Sequence, residues 1–407
     1  MLKRGTIPRK EPTIQVGLIL PEDRQTALTL SFPNPDDYAI DGYEQSLRPR
    51  HKITVDGDRL LLEDRHFPEI QLRRQAFPDD PNRLVTLDHV IAGRGFHWEK
   101  RIPVTVDGDL ILRATQGSLV VVNRLPVEDY LMSVATSEMG ANCPSALIEA
   151  QTIVARSWLL AAAEQKHLDL DMDVCNDDCC QRYQGAAHMT PHSRKGVEVT
   201  RGQVLLIDGE ICDARYSKSC GGMTERFDHI WKGPAQSCFQ VFADTLPENR
   251  VNPDLSTEKA FQSWLRHPPK AYCSPVYIPE DRLSAYLGHV DEAGHYFRWE
   301  VTLSQKELTG LIRSKLGIDT RSIVALKPEN RGGSGRLNRL TVLYESQGKI
   351  TTTTIDSEYE IRRALHPGFL YSSAFVVETD DQQPPSRFTL QGAGWGHGVG
   401  LCQIGAL

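Results

Sequence analysis

The sequence has no run approaching the roughly 20 consecutive apolar residues that a membrane-spanning helix requires. It has no long Lys/Arg block, and its formal net charge is −7, which argues against nucleic acid as the main partner. The N-terminal MLKRGTIPRKEP is basic but lacks the apolar core of a secretory signal, so either the protein is cytosolic or this sequence lacks its export signal. No repeat of solenoid period occurs, and no HExxH ligand set of a zinc hydrolase. The glycine cluster GAGWGHGVG (392–400) lacks the GxGxxG spacing of a dinucleotide site, and no βαβ unit can follow it. What remains is ordinary for a soluble globular protein: 407 residues, 24% charged and 40% hydrophobic, enough for two or three domains.

Cysteine is the exception to this plainness. Nine are present, many for a cytosolic enzyme, and the odd count leaves one over if the rest form disulfides. Three fall together in CNDDCC (Cys175, Cys179, Cys180), with His167 and His188 nearby. Thiolates and an imidazole at these positions could make a tetrahedral zinc site, although adjacent side chains at 179 and 180 diverge unless a loop turns them. A disulfide or plain buried thiols are the other readings.

Along the chain, residues 1 to about 115 read as short strands punctuated by Gly and Asp-Gly turns: IQVGLIL, ALTLSF, KITVDG, RLLLEDR and VTVDGDLILRA. SLVVVNRLP then leads into a first helix whose apolar stripe is Val127, Leu131 and Val134, at spacings of four and three. Glu138 is the next position on that stripe, and Gly140 ends the helix. Burying a carboxylate there without a partner costs several kcal/mol, or else raises its pKa until it holds a proton. The bland alternative is an ion pair with an arginine such as Arg156. A second helix is predicted from Pro144 through His167, with Leu147, Gln151, Val154 and Trp158 on its buried face.

The run from 196 to 226 returns to strands. From about 251 to 320 the pattern changes to an inserted or second α+β domain, with a β pair around HYFRWEVTL and the helix SQKELTGLIRSKLG. A hairpin (LNRLTVLYESQGKITTTTI), a helix (EYEIRRALHP) and a strand (SSAFVVET) precede the last strand and the glycine cluster. The expected fold is therefore α+β. It comprises a β-rich accessory module at 1–115, the first part of a catalytic core at 116–250, an inserted or second α+β domain at 251–380, and the core's C-terminal Gly/His motif at 381–407.

Four blocks in one order carry a resemblance. LPVEDYLMSVATSEMGANCPSALIEAQTIVARSWLLAA, CQRYQG (180–185), YSKSCGGMTE (216–225) and GAGWGHGVGLCQIGA (392–406) resemble the stage II sporulation protein D, or amidase-enhancer, family. SGRLNRLTV and IRRALHPGFLYSSAF resemble the sequence usually found between the later blocks. The N-terminal β module lies outside the best match. The family pattern also predicts a helix where the chain stops at Leu407 and an export signal ahead of it.

The resemblance implies a lytic transglycosylase that cleaves peptidoglycan glycan strands between N-acetylmuramic acid and N-acetylglucosamine, leaving a 1,6-anhydro end. One carboxylic acid suffices, because the tethered muramyl 6-hydroxyl is the nucleophile. Glu138 takes that role by resemblance. Gln151, Arg156, Tyr183, Tyr216, Ser219 and His397 stand at motif positions that would line the glycan groove, with His397 near Glu138. Helix–helix salt bridging, core hydrogen bonds and a satisfied structural histidine are the bland readings of these residues. Some family members carry zinc in the cysteine loop, which here implies Cys175, Cys179, Cys180 and His167 as ligands of a structural ion. A Cys220–Cys402 disulfide is a further possibility, since the fold would bring those two blocks together. The implied location is the cell envelope, periplasmic or extracellular, and the implied partners are glycan strands and a cell-wall amidase. The rival reading of a different class is a non-catalytic wall-binding enhancer of an N-acetylmuramoyl-L-alanine amidase.

Overall fold

The computed structural model describes residues 2–75, 84–96, 98–162, 166–288, 291 and 294–407. They form a mixed α+β chain with several sheets. Two compact units result: Met1–Arg94 with Trp98–Ala214 and Tyr286–Asp291, and Gly95–His97 with Arg215–Ala285 and Glu292–Leu407.

The first unit holds strands β1 (Thr13–Ile19), β2 (Ala27–Ser31), β3 (Tyr38–Ile40), β4 (Arg50–Asp56), β5 (Arg59–Leu62), β6 (Arg65–Phe67) and β7 (Glu69–Arg74). It continues with β8 (Val85–Ala92), β9 (Lys100–Val106), β10 (Asp109–Thr115), β11 (Ser118–Pro126), β12 (Val174–Cys175), β13 (Leu206–Ile207) and β14 (Glu210–Ile211). One six-stranded sheet runs β12-β1-β11-β10-β7-β3 and the other β6-β5-β4-β2-β8-β9. The near-continuous apolar run of β11 is buried on both faces, as suits an interior strand. Because β1 pairs with both β11 and β12, the expected boundary at 115 falls inside a sheet. Strand pairing joins the β-rich start of the chain to the cysteine loop more than 150 residues away.

Helix α1 (Val127–Glu138) leaves β11 directly, and α2 (Ser145–Ala161) packs on it. The stripe expected on α1 understates its burial, since eleven of its twelve residues are buried, Glu128 among them. Helix α2 ends at Ala161, short of the expected His167; residues 163–165 of that expectation lie outside the described residues. Residues 191–199 form α3 (Pro191–Val199) where strand was expected from 196 onward. The Thr190 hydroxyl accepts the Ser193 N–H, and Pro191 opens the helix with its preset φ. These local signals outweigh the β-branched residues that follow.

The second unit contains β15 (Tyr216–Ser217), α4 (Phe227–Ile230), α5 (Glu258–Arg266), α6 (Glu280–Leu283), β16 (Arg298–Ser304), α7 (Gln305–Leu316) and β17 (Ser322–Arg331). It ends with β18 (Leu337–Ser346), β19 (Lys349–Asp356), α8 (Glu358–Ala364), β20 (Phe375–Thr379), β21 (Arg387–Ala393), β22 (Leu401–Cys402) and α9 (Gln403–Ala406). The expected hairpin is β18–β19 and the two expected helices are α7 and α8. Ser304 and Glu307 cap α7 reciprocally, and Gly317 closes it in the left-handed region. The β pair expected locally around β16 is instead a long-range one with β21, so residues 298–304 and 387–393 share a sheet and a core. The segments expected to divide at 380/381 are thereby one unit.

Candidate functional site

Glu138 is the last residue of α1 and is 6% exposed. Its Oε1 accepts the backbone N–H of Arg182 at 2.9 Å. That amide is delivered by the loop 173–185, which is pinned at several points. Asp177 accepts the N–H groups of Gly93 and Arg94 at 2.9 and 2.7 Å. Tyr130 donates to Gln181 at 3.1 Å, and the Gln184 N–H donates to the Ser137 hydroxyl at 3.1 Å. The Arg182 guanidinium stacks on Trp98, 4.4 Å from the ring centroid, and pairs with Asp178 at 2.7 Å and with Asp291. Asp291 arrives on a segment that packs against the end of α1, where Gly140 donates to the Tyr286 carbonyl at 2.7 Å. A side chain at 140 would lie 2.6 Å from the Leu287 carbonyl, so that approach requires glycine. Burial pushes the Asp178 carboxyl up to about 7 despite the pull of Arg182, with the charges of Asp177 and Glu138 adding to the rise.

The other motif residues of this unit are buried. Arg156, expected to pair with Glu138 or to line a groove, forms a two-pronged ion pair with Glu128, its Nε and Nη2 donating at 2.9 and 2.5 Å. Its Nη1 donates to the Gln203 carbonyl at 3.0 Å, and the residue is 1% exposed. The Tyr183 hydroxyl donates to Asn123 at 2.7 Å, and its ring stacks on Tyr130 with centroids 5.2 Å apart. Gln151 lies on the buried face of α2 at 1% exposure.

The side chains of the cysteine loop come together. Ligand atoms of His167, Cys175, Cys179 and Cys180 all lie within 4.8 Å of one another. Pairing of β12 with β1 fixes Cys175, and the Asn176 N–H donates to the Gly17 carbonyl at 2.9 Å. Cys175 and Cys179 sulfurs are 3.0 Å apart, and Cys179 is 3.6 Å from His167 Nε2. Hydrogen bonds from Cys175 and Cys179 hold the Cys180 thiol well below the usual cysteine range. A sulfur held as thiolate beside an imidazole is a donor set that suits zinc.

Tyr216, Ser219 and His397 belong to the second unit. The backbones of Ser219 and Trp395 exchange hydrogen bonds at 2.8 and 3.1 Å, and β15 pairs in parallel with β22, so the Tyr-Ser block is zipped to the glycine cluster. Gly394, Gly396, Gly398 and Gly400 all have positive φ. A side chain at 398 would meet the buried Arg336 guanidinium, which donates to the carbonyls of Gly396 and Cys220, both at 3.2 Å. His397 Nδ1 accepts the Val399 N–H at 3.1 Å, and its ring meets Trp231 edge-on at 4.7 Å. Burial, joined by the charges of Arg215, Arg362 and Arg336, drives its pKa well below the usual histidine value. A depressed histidine contributes stability above its unfolded pKa of about 6.5 that is lost as pH falls below that value. The thermal midpoint of the second unit should therefore drop as pH is lowered from about 7 to 5, and His397→Gln should flatten that dependence in a pH-resolved melting series.

Comparison with known proteins now bears on both units. Residues 115–206 match the family model described as stage II sporulation protein. Residues 225–400 match a model described only as a domain of unknown function. An amidase enhancer of Bacillus subtilis (strain 168) is 25% identical over 283 residues, 68% of this chain and 37% of that protein. Residues 115–206 thus carry a stage II sporulation protein domain, and the chain is similar to an amidase enhancer. An uncharacterised protein of Brachyspira hyodysenteriae (strain ATCC 49526 / WA1) is 24% identical over 300 residues, 74% of this chain and 65% of that protein. The chain thus spans under two thirds of one relative and little more than a third of the other.

Sequence reasoning missed Arg182 as the residue holding Glu138, Asp178 and Asp291 as the partners of Arg182, and Glu128 as the partner of Arg156. Arg182 and Asp178 stand in the quoted CQRYQG and CNDDCC blocks, so a local signal existed. Asp291 is 109 residues from Arg182 and carries none.

Proposed function

We propose that this protein acts on the cell wall as a peptidoglycan lytic transglycosylase, with Glu138 as its single general acid and base. The reading rests on one observation: a carboxylate buried at the end of α1, held by the Arg182 backbone N–H inside the family-matching segment. In this mechanism the Glu138 carboxyl first protonates the glycosidic oxygen. It then takes the proton of the muramyl 6-hydroxyl as the 1,6-anhydro ring closes. The Arg182 amide fixes the carboxyl's direction through both steps, and the ion-paired Asp178–Arg182–Asp291 group keeps that loop rigid. The substrate lies outside the cytoplasmic membrane, which puts the working protein in the cell envelope.

Mass spectrometry of products from purified glycan strands tests the reading. Fragments ending in anhydromuramic acid, one water lighter than hydrolysis products, support it. A second reading is favoured by the similarity to the Bacillus amidase enhancer: a non-catalytic enhancer that presents glycan to an amidase. That alternative predicts intact strands with this protein alone and faster stem-peptide release when an amidase is added.

The loop cluster of His167, Cys175, Cys179 and Cys180 is part of the same reading, as a structural zinc site that anchors the Arg182 loop. Elemental analysis of protein purified without added metal should find one zinc equivalent per chain that Cys175→Ser removes. Paired oxidation of these thiols with no zinc would mean a disulfide instead.

A further inference from the structure

We propose that Cys220, Asp244, Cys273 and Cys402 form a second, closed zinc site in the Arg215–Leu407 unit, independent of the loop cluster and of the catalytic reading. Their ligand atoms all lie within 4.8 Å of one another, and all three cysteines are buried free thiols. A tetrahedral zinc with Zn–S bonds of about 2.3 Å sets neighbouring sulfurs about 3.8 Å apart and a carboxylate oxygen about 3.6 Å from each. The Cys220 and Cys273 sulfurs are 3.8 Å apart, and Cys220 Sγ is 3.4 Å from Asp244 Oδ2. Three thiolates and one carboxylate complete a four-ligand shell of the soft character that selects zinc.

The ligands come from four distant segments that backbone bonds already hold in place. Cys402 sits on β22 opposite Ser217, just ahead of Cys220. Asp244 N–H donates to the Gly222 carbonyl at 3.1 Å, and the Asp244 carbonyl accepts the Tyr272 N–H at 2.8 Å, which positions Cys273. Two sulfurs also accept backbone N–H groups, Cys402 from Cys220 at 3.2 Å and Cys220 from Gly222 at 3.3 Å, as thiolate ligands do. A positive side chain stands beside them. Arg298 is stacked on Trp264 and Phe297 at 4.4 and 4.1 Å, close enough for the charges of Cys273 and Cys220 to act on it. Its Nε and Nη2 are enclosed with no hydrogen-bond partner among the described residues, and a zinc-bound cluster of net negative charge would supply the missing compensation.

A disulfide between any two of these cysteines would leave the third buried sulfur and the half-buried Asp244 carboxylate outside the bond. A metal ion satisfies all four. At Gly405 a side chain would lie 2.5 Å from Asp244 Oδ2 and 3.0 Å from Cys402 Sγ, so the space around the four ligands is closed on that side by a residue without a Cβ. The ion would tie the tail of the glycine cluster to the 215–273 segment.

The test is zinc content of the full chain purified without added metal, for wild type, Cys273→Ser and Asp244→Asn, with peptide mapping of wild-type thiols under non-reducing conditions. Loss of one zinc equivalent in Cys273→Ser, whatever the loop cluster binds, together with reduced Cys220, Cys273 and Cys402 in wild type, is the expected result. Unchanged zinc in both variants overturns the proposal, as does a mapped disulfide joining any two of the three cysteines. The wild-type mapping decides even if the variants do not fold.

Discussion

Glu138→Gln should abolish glycan cleavage while leaving the fold intact. The glutamine side chain has the same length and branching, and its amide oxygen can still accept the Arg182 N–H that Glu138 accepts at 2.9 Å. It cannot donate a proton to the leaving oxygen and then retrieve one from the 6-hydroxyl. Losing one general acid or base costs about two to four orders of magnitude in rate. Because the same group acts in both steps, the loss should approach the full catalytic effect. The measurement is product formation from purified glycan strands, with circular dichroism and a melting curve as the control for folding. Wild-type products with reducing ends would mean hydrolysis with a second carboxylate, and Asp178 and Asp291, which both pair with Arg182, are the residues to substitute next. Undiminished cleavage by the glutamine variant would remove Glu138 from the mechanism.

The largest stability effect is expected at the Glu128–Arg156 pair, whose side chains are only 5% and 2% exposed. Glu128 also accepts the Gly202 N–H at 3.2 Å, so this one carboxylate ties α1, α2 and the loop after α3 together. Arg156→Met leaves a buried charge without its counterion, which costs about 3–5 kcal/mol. The double variant Glu128→Gln with Arg156→Met removes the stranded charge and keeps an acceptor for Gly202, so it should be less damaging than the single change. Denaturant midpoints of the three proteins check this. A double variant as unstable as Arg156→Met alone would show that packing, not charge compensation, sets the cost.

Much of the local structure was legible in residue order alone. Helix α7 was legible because its cap, its apolar spacing and its closing glycine are all local. The hairpin β18–β19 was legible for the same reason, with a two-residue turn between alternating strands. Glu138 stood out because a carboxylate interrupted an apolar stripe, and the His167, Cys175, Cys179 and Cys180 cluster lies within fourteen residues of sequence. Local patterns failed where another local signal overrode them, as when the Thr190–Ser193 cap drew residues 196–199 into α3.

Partnership, by contrast, emerged only in the folded chain. Arg156 found Glu128 rather than Glu138, Asp291 came to Arg182 from 109 residues away, and β16 paired with β21 across the span from 298 to 393. Cys220, Asp244, Cys273 and Cys402 are spread over 182 residues and look like isolated thiols and a surface acid when read in order. Periodicity and capping report interactions over a few residues, within reach of a turn of backbone. Charge pairs, metal ligands and sheet neighbours depend on distances in space, and those exist only once the chain has closed its long loops against the entropy that opposes them.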